Sequence, residues 1–174
     1  NVEMPTQITT SLTVAPKPDP HAIRELIGDL LSANGFLEMM ALSLSESRYY
    51  GGGPDAERVD GLVYVNNTSN VTYDIMRPDM LVSGLEAIVH NQNRREADLR
   101  LFEFGRTYHL KGEKYKENNH LTLFLTGRKQ AENWHLGSKG SKAPVNYYTI
   151  KSTVGLVLRR LGIHNYRTSE APSD

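Results

Sequence analysis

The sequence predicts an α+β fold, an antiparallel β-sheet flanked by helices. Apolar residues recur at helical spacing in three segments, and two long runs near the middle carry strand character with short polar links. The predicted order is helix, strand, strand, helix, two long strands, then strand and helix. Adjacent long strands joined so briefly favour antiparallel pairing, and helices packed on such a sheet define the class.

Residues 1–18 read as an extended linker arm from a preceding domain, with Ile8, Leu12 and Val14 set among Thr, Ser and Pro. The core domain is expected over 19–174, open to truncation at its C-terminal end; the chain starts without Met, which fits a piece of a longer protein. Asp19-Pro20 gives a helix start, with Asp19 as N-cap and Pro20 at the first helical position. Ile23, Leu26, Ile27, Leu30 and Leu31 then form one stripe, and Gly35 sits where a left-handed residue stops the helix.

Phe36 to Ser45 reads as an apolar strand, Gly51-Gly52-Gly53-Pro54 as a flexible loop and Leu62 to Val65 as a short strand. A second helix is expected from about Asp79 to Asn91, with Leu81, Leu85, Ile88 and Val89 on one face and Asp79 near the positive end of its dipole. Leu99 to Leu110 is a long strand. His120 to Gly127 is another, alternating Leu121, Leu123 and Leu125 with Thr122, Phe124 and Thr126. After a Gly/Ser/Lys-rich loop from Gln130 to Pro144, Asn146 to Ile150 reads as a strand. Lys151 to Leu161 reads as a third helix, with Val154, Val157, Leu158 and Leu161 inward and Gly162 as its stop.

Bulk properties exclude several classes. The chain has 174 residues, 39% of them hydrophobic, enough for one domain with a real core. It has no run long enough to span a bilayer and no signal peptide, so no membrane partner is expected. With no cysteine there is no disulfide, thiolate nucleophile or Cys-based metal site. The glycosylation triplets starting at Asn66, Asn67 and Asn70 are read as chance. The formal net charge is zero, which does not suit a principal nucleic-acid-gripping surface, and Arg94-Arg95 and Arg159-Arg160 read as solvated helix ends.

Chemistry-bearing motifs are mostly missing. The six histidines form no pair at zinc-ligand spacing, so no metal site is expected. There is no Gly-x-Ser-x-Gly elbow, and the glycine loop lacks the frame of a phosphate cradle. Two segments stand out. One is Met76-Arg77-Pro78-Asp79-Met80-Leu81-Val82-Ser83-Gly84-Leu85-Glu86-Ala87, running on through Asn91-Gln92-Asn93-Arg94. The other is Asp98-Leu99-Arg100-Leu101-Phe102-Glu103-Phe104-Gly105-Arg106-Thr107-Tyr108. Here Arg100, Glu103 and Arg106 interrupt a strand that otherwise reads as buried, and buried charge is tolerated only when paired. By period 2, Arg100 and Arg106 share a face that Glu103 does not. Each therefore needs a partner elsewhere, or the strand is an edge with solvated charges. If Arg106 is buried, Arg106→Ala is expected to cost about 3–5 kcal/mol.

Together the two segments resemble the β subunit of phenylalanyl-tRNA synthetase. The family pattern runs approximately Leu-Arg-Pro-Ser-Leu-Leu-Pro-Gly-Leu-Leu-Glu, then Asn-x-x-Arg, then Asp-Leu-Arg-Leu-Phe-Glu-Ile-Gly-Arg-Val-Phe. Leu30 to Glu38 is similar to the family's stretch ending in Gly-Phe-x-Glu. Asn133-Trp134 followed by Val145 to Lys151 is similar to its Trp and Asp-Phe-Tyr-Asp-Leu-Lys-Gly, and Leu161-Gly162-Ile163 to the close of the next helix. The likeness spans about residues 20 to 163. Val82 and Ser83 depart from a Pro-Gly, Asn146 from an acidic residue and Ser152 from a Gly.

The resemblance implies a class II aminoacyl-tRNA synthetase-like fold, catalytically degenerate in this subunit, in which residues 20–34 and 36–45 correspond to the dimerisation motif. It implies a cytoplasmic heterotetramer of two α and two β chains that activates phenylalanine with ATP and Mg²⁺ and charges tRNA. This domain would be a non-catalytic assembly partner of the α subunit, with no cofactor of its own. Structural or interface candidates are Arg77, Pro78, Leu81, Asn91, Arg100, Glu103, Gly105 and Arg106. His109 stands where the α subunit has a nucleotide-binding arginine, and an imidazole cannot supply that planar, permanently charged fork. The alternatives are an active nucleotide-binding core or paralogue, which needs a substitute such as Arg128 or Lys111, and a generic α+β interaction module.

Overall fold

The computed structural model describes residues 18–51, 59–66, 72–130 and 143–169. The linker arm, the glycine loop beyond Gly51, most of the glycosylation triplets and Trp134 lie outside the described residues.

Helix α1 (Pro20–Ala33) begins as expected. The Asp19 carboxylate accepts from His21 N–H at 2.9 Å, and Pro20 opens the first turn. Gly35, at φ 79, ends it: the Phe36 N–H donates back to the Leu31 carbonyl at 3.1 Å. The chain then forms β1 (Leu37–Glu38) and β2 (Leu44–Ser45) rather than one continuous strand over 36–45. The reason lies between them. Met39 N–H still donates to the Phe102 carbonyl, but Ala41 N–H turns to the carboxylate of Glu103, so the ladder stops.

A 3₁₀ turn (Ser47–Tyr50) follows. It is fixed by Asp74, whose carboxylate accepts from both the N–H (2.8 Å) and the hydroxyl (2.6 Å) of Ser47. Burial, then the charge of Asp79, pushes the Tyr50 phenol up to about 12. Strands β3 (Val63–Tyr64) and β4 (Ile75–Met76) join β2 in a small antiparallel sheet ordered β2-β4-β3.

The main sheet has the order β1-β5-β6. Its body is a hairpin of β5 (Arg100–Lys111) and β6 (Lys114–Leu125), paired antiparallel from Arg100↔Leu125 to Lys111↔Lys114. β6 begins earlier than the apolar alternation suggests. β1 runs parallel to β5, so antiparallel pairing is not universal. Helix α2 (Leu81–Gln92) and helix α3 (Tyr147–Arg160) complete the described elements. The predicted strand at 146–150 is the cap and first turn of α3. Asn146 accepts from Thr149 N–H while the Thr149 hydroxyl accepts from Asn146 N–H, closing a capping box.

Alternation along the hairpin produces two cores. Phe102 and Phe104, with Leu121, Leu123 and Leu125, face Ile27 and Leu31 of α1 and Val157 of α3. Leu99, Leu101 and Phe124 face Ile88 and Ala87 of α2. Val154 and Leu161, read as inward, are partly solvated, and Val157 carries the contact of α3. On α2 the expected stripe is split. Ile88 is buried with Gly84, while Leu81, Leu85 and Val89 are about half exposed.

Gly84 determines how closely α2 approaches. A Cβ there would lie 1.9 Å from the tip of the Phe124 ring. Helix propensity favours Ala over Gly by about 1 kcal/mol, yet the ring is boxed in by Ile88, Leu99 and Leu101. Gly84→Ala is therefore expected to destabilise by about 1–3 kcal/mol, the range for an overpacked core. Denaturant unfolding reads the change, and adding Phe124→Leu should recover part of it.

Candidate functional site

Where the two sheets meet, a buried arginine meets a buried glutamate. Arg77 directly follows β4, and its N–H donates to the Ser43 carbonyl at 2.9 Å. Its own carbonyl accepts from Tyr108 N–H at 3.0 Å. Its Nη1 donates to Glu103 Oε1 at 2.9 Å, with both side chains at most 4% exposed. Its Nε donates to the Arg106 carbonyl at 2.9 Å. Glu103 Oε1 also accepts from Ala41 N–H at 3.3 Å. One ion pair thus ties residues 41–43, β4 and the middle of β5 together. Glu103 Oε2 is buried and accepts nothing from the described residues.

Gly105 makes room for this joint. A Cβ on it would sit 2.3 Å from Arg77 Nη2 and 2.2 Å from the Met80 methyl. Pro78 and Met80 are buried beside it. The chain then enters α2, where Asp79 Oδ1 accepts from Leu81 N–H at 2.8 Å.

Of the residues singled out in sequence, Arg77, Pro78, Glu103 and Gly105 come together here. Arg106 contributes only its carbonyl. Its side chain is 58% exposed and pairs with Glu117 at 3.0 Å, so of the two readings open for Arg106 the solvated one holds: it lies on the other face from Glu103, on the half of the hairpin beyond the helices. Arg106→Ala should change unfolding stability by less than about 1 kcal/mol, as for other solvated pairs. Arg100 lies elsewhere, donating to the Asn34 carbonyl at 3.3 Å and to the Lys129 carbonyl. Asn91 Nδ2 bonds the Ala87 carbonyl at 2.7 Å near the end of α2. Leu81 points to solvent. Sequence reading missed Met80, Ala41 and the Gly84–Phe124 contact. A glycine inside a helical pattern was the one available signal for the last.

A nucleotide clamp needs open sheet surface and a guanidinium able to reach phosphate. On the inner half of the hairpin, α1 and α3 pack on one face, leaving Phe104, Leu121, Leu123 and Leu125 partly exposed, and α2 packs on the other. Arg77 is held by Glu103 and Arg100 by carbonyls. Arg128 is held by Asp98 at 2.6 Å, and its hydrogen bonds keep that carboxyl below its ordinary range. His109 is exposed on β5, opposite Lys116. Among the described residues no group of three or more His, Asp or Glu side chains is arranged to hold a metal.

Comparison with known proteins agrees with this architecture. The chain is 35% identical to a phenylalanine–tRNA ligase beta subunit of Bacteroides thetaiotaomicron, over 95% of this chain and 21% of the relative. It is 33% identical to one of Bacteroides fragilis, over 94% of this chain and 20% of the relative. It therefore spans about a fifth of the length of these curated relatives. Among solved structures, a pyrrolysyl tRNA synthetase of Desulfitobacterium hafniense superposes with a TM-score of 0.59 at 17% identity, covering 92% of this chain and 52% of that one. An ATP phosphoribosyltransferase regulatory subunit/histidyl-tRNA synthetase of Bacillus halodurans gives 0.56 at 16% identity, covering 83% and 34%. The α+β reading and its synthetase-like form therefore hold. The family model described as the phenylalanyl tRNA synthetase beta chain CLM domain matches residues 4–174, and the chain belongs to that family.

Proposed function

We propose that this chain is a non-catalytic assembly domain of a phenylalanine–tRNA ligase β subunit. It supports an α subunit that activates phenylalanine with ATP and Mg²⁺ and charges tRNA, within a cytoplasmic heterotetramer. The observation that carries this reading is how the central hairpin is used: the chain's own helices pack on both faces of its inner half, and Arg77, Arg100 and Arg128 are committed to internal partners. Among the described residues no helix is long and apolar enough to cross a membrane.

The alternative of a nucleotide-binding core needs a replacement cation. Arg128 is bound to Asp98, and Lys111 lies at the hairpin tip opposite Lys114. Neither favours it.

The α subunit would seat on the apolar side of α2. Leu81, Leu85 and Val89 form an exposed row there, and Tyr49, Val82 and Leu85 line a groove of about 520 Å³. Apolar stripes of this kind mark partner surfaces. Co-expression of the full β chain with an α subunit, followed by affinity capture of one and quantification of the other, tests this. Leu85→Asp with Val89→Asp should abolish co-capture while the β chain stays folded. Undiminished capture would remove α2 from the interface, and no capture of the wild-type chain would end the assembly reading.

A further inference from the structure

We propose that the outer end of the β5–β6 hairpin carries an RNA-binding face, built from His109, Lys111, Lys114 and Lys116 and directed at a phosphate backbone. The inference deepens the assembly reading and rests on it for the presence of tRNA.

The strand register places these side chains together. His109 is directly opposite Lys116, and Lys111 directly opposite Lys114. Directly opposed residues project from the same face, and residues two apart on a strand share it. All four therefore occupy one face, and all four are exposed. The next pairs inward, Thr107↔Asn118 and Gly105↔His120, add no acid. The acids on the outer half of the hairpin itself are placed elsewhere. Glu117 is opposite Tyr108 on the other face, where it pairs with Arg106, and Glu113 sits in the turn between the strands.

Like charges set directly across a ladder are destabilising. A hairpin that needed only to fold would gain from an acid at Lys114 or Lys116. The zero net charge of the whole chain hides this separation of sign. Same-face neighbours along a strand are about 7 Å apart and opposed pairs about 5 Å. Three long lysine stems can thus reach adjacent phosphates as point charges. A phosphate backbone is favoured over an acidic protein surface because the face presents exposed ammonium groups and no apolar centre. Tyr115, 77% exposed, lies on the opposite face with Leu110.

The test uses the assembled ligase and, separately, the full β chain alone. Binding of tRNA is titrated across a range of KCl concentrations for wild type, for Lys111→Gln/Lys114→Gln/Lys116→Gln, and for the matching triple Lys→Arg variant. Loss of three phosphate contacts should lower the slope of log K against log salt by about 2–3 and weaken binding at low salt about tenfold or more. The Arg variant should keep both. A Gln variant that melts like wild type and shows unchanged affinity and slope would overturn the proposal. So would unchanged tRNA binding with lost capture of the α subunit, which would make the face an acidic-protein dock. If the wild-type chain fails to assemble with an α subunit, the assembly reading fails, and the salt slope of the β chain alone still decides the hairpin.

Discussion

Arg77→Ala is expected to destabilise the domain by about 3–5 kcal/mol, the cost of leaving one charge of a buried pair without its partner. The geometry makes this site demanding. Removing the guanidinium strands the Glu103 carboxylate, almost fully shielded from water, with only the Ala41 N–H at 3.3 Å. The Arg106 carbonyl also loses the donor Nε. The damage should extend to residues 41–43 and β4, which reach β5 through this joint. Much of the loss is the penalty of an orphaned charge, not the net worth of the pair. Arg77→Met combined with Glu103→Leu, which removes both charges and keeps volume, should therefore be less destabilised than Arg77→Ala alone. Urea unfolding of the three variants measures this. Equal losses for the single and double variants would mean that packing, and not charge, dominates.

Phe102→Ala is expected to cost about 3–5 kcal/mol, the usual range for deleting a fully buried ring. Phe102 is 0% exposed and sits edge-on to Phe104, with centroids 5.7 Å apart and planes at 88°. It is the residue on which α1, Phe36 and α3 converge, through Ile27, Leu31 and Val157. Its backbone carbonyl also holds Met39 N–H at 2.8 Å. No single neighbour can fill the space without leaving a gap against another element. The unfolding midpoint should fall with little change in denaturant slope, since the exposed surface of the unfolded chain hardly changes. Phe102→Leu should lose less. A loss under about 1 kcal/mol for the Ala variant would mean that α1 and α3 can collapse onto β5.

Local chemistry made part of this legible. Asp19-Pro20 and Gly35 bounded α1 because a cap, a fixed φ and a left-handed stop are all properties of single residues. The two motifs led to the right neighbourhood, and period 2 separated Glu103 from Arg106. That its partner is Arg77, just past a strand of the other sheet, has no local signature. The outer half of β6 was missed because both its faces are solvated, so Lys114 to Asn119 show no alternation of polarity. The aromatic and β-branched residues of Asn146 to Ile150 favour extended backbone, but a capping box makes the segment the start of α3. On α2, hydropathy selected the leucine row, while the face that meets the sheet is built on Gly84, which carries no hydropathy signal.

The most direct measurement is isothermal titration calorimetry of ATP with Mg²⁺ into the full β chain. A hairpin whose inner half carries α1 and α3 on one face and α2 on the other should give no saturable heat at micromolar protein. A fitted dissociation constant in the micromolar range, abolished by substitution of His109, Lys111 or Arg128, would contradict it.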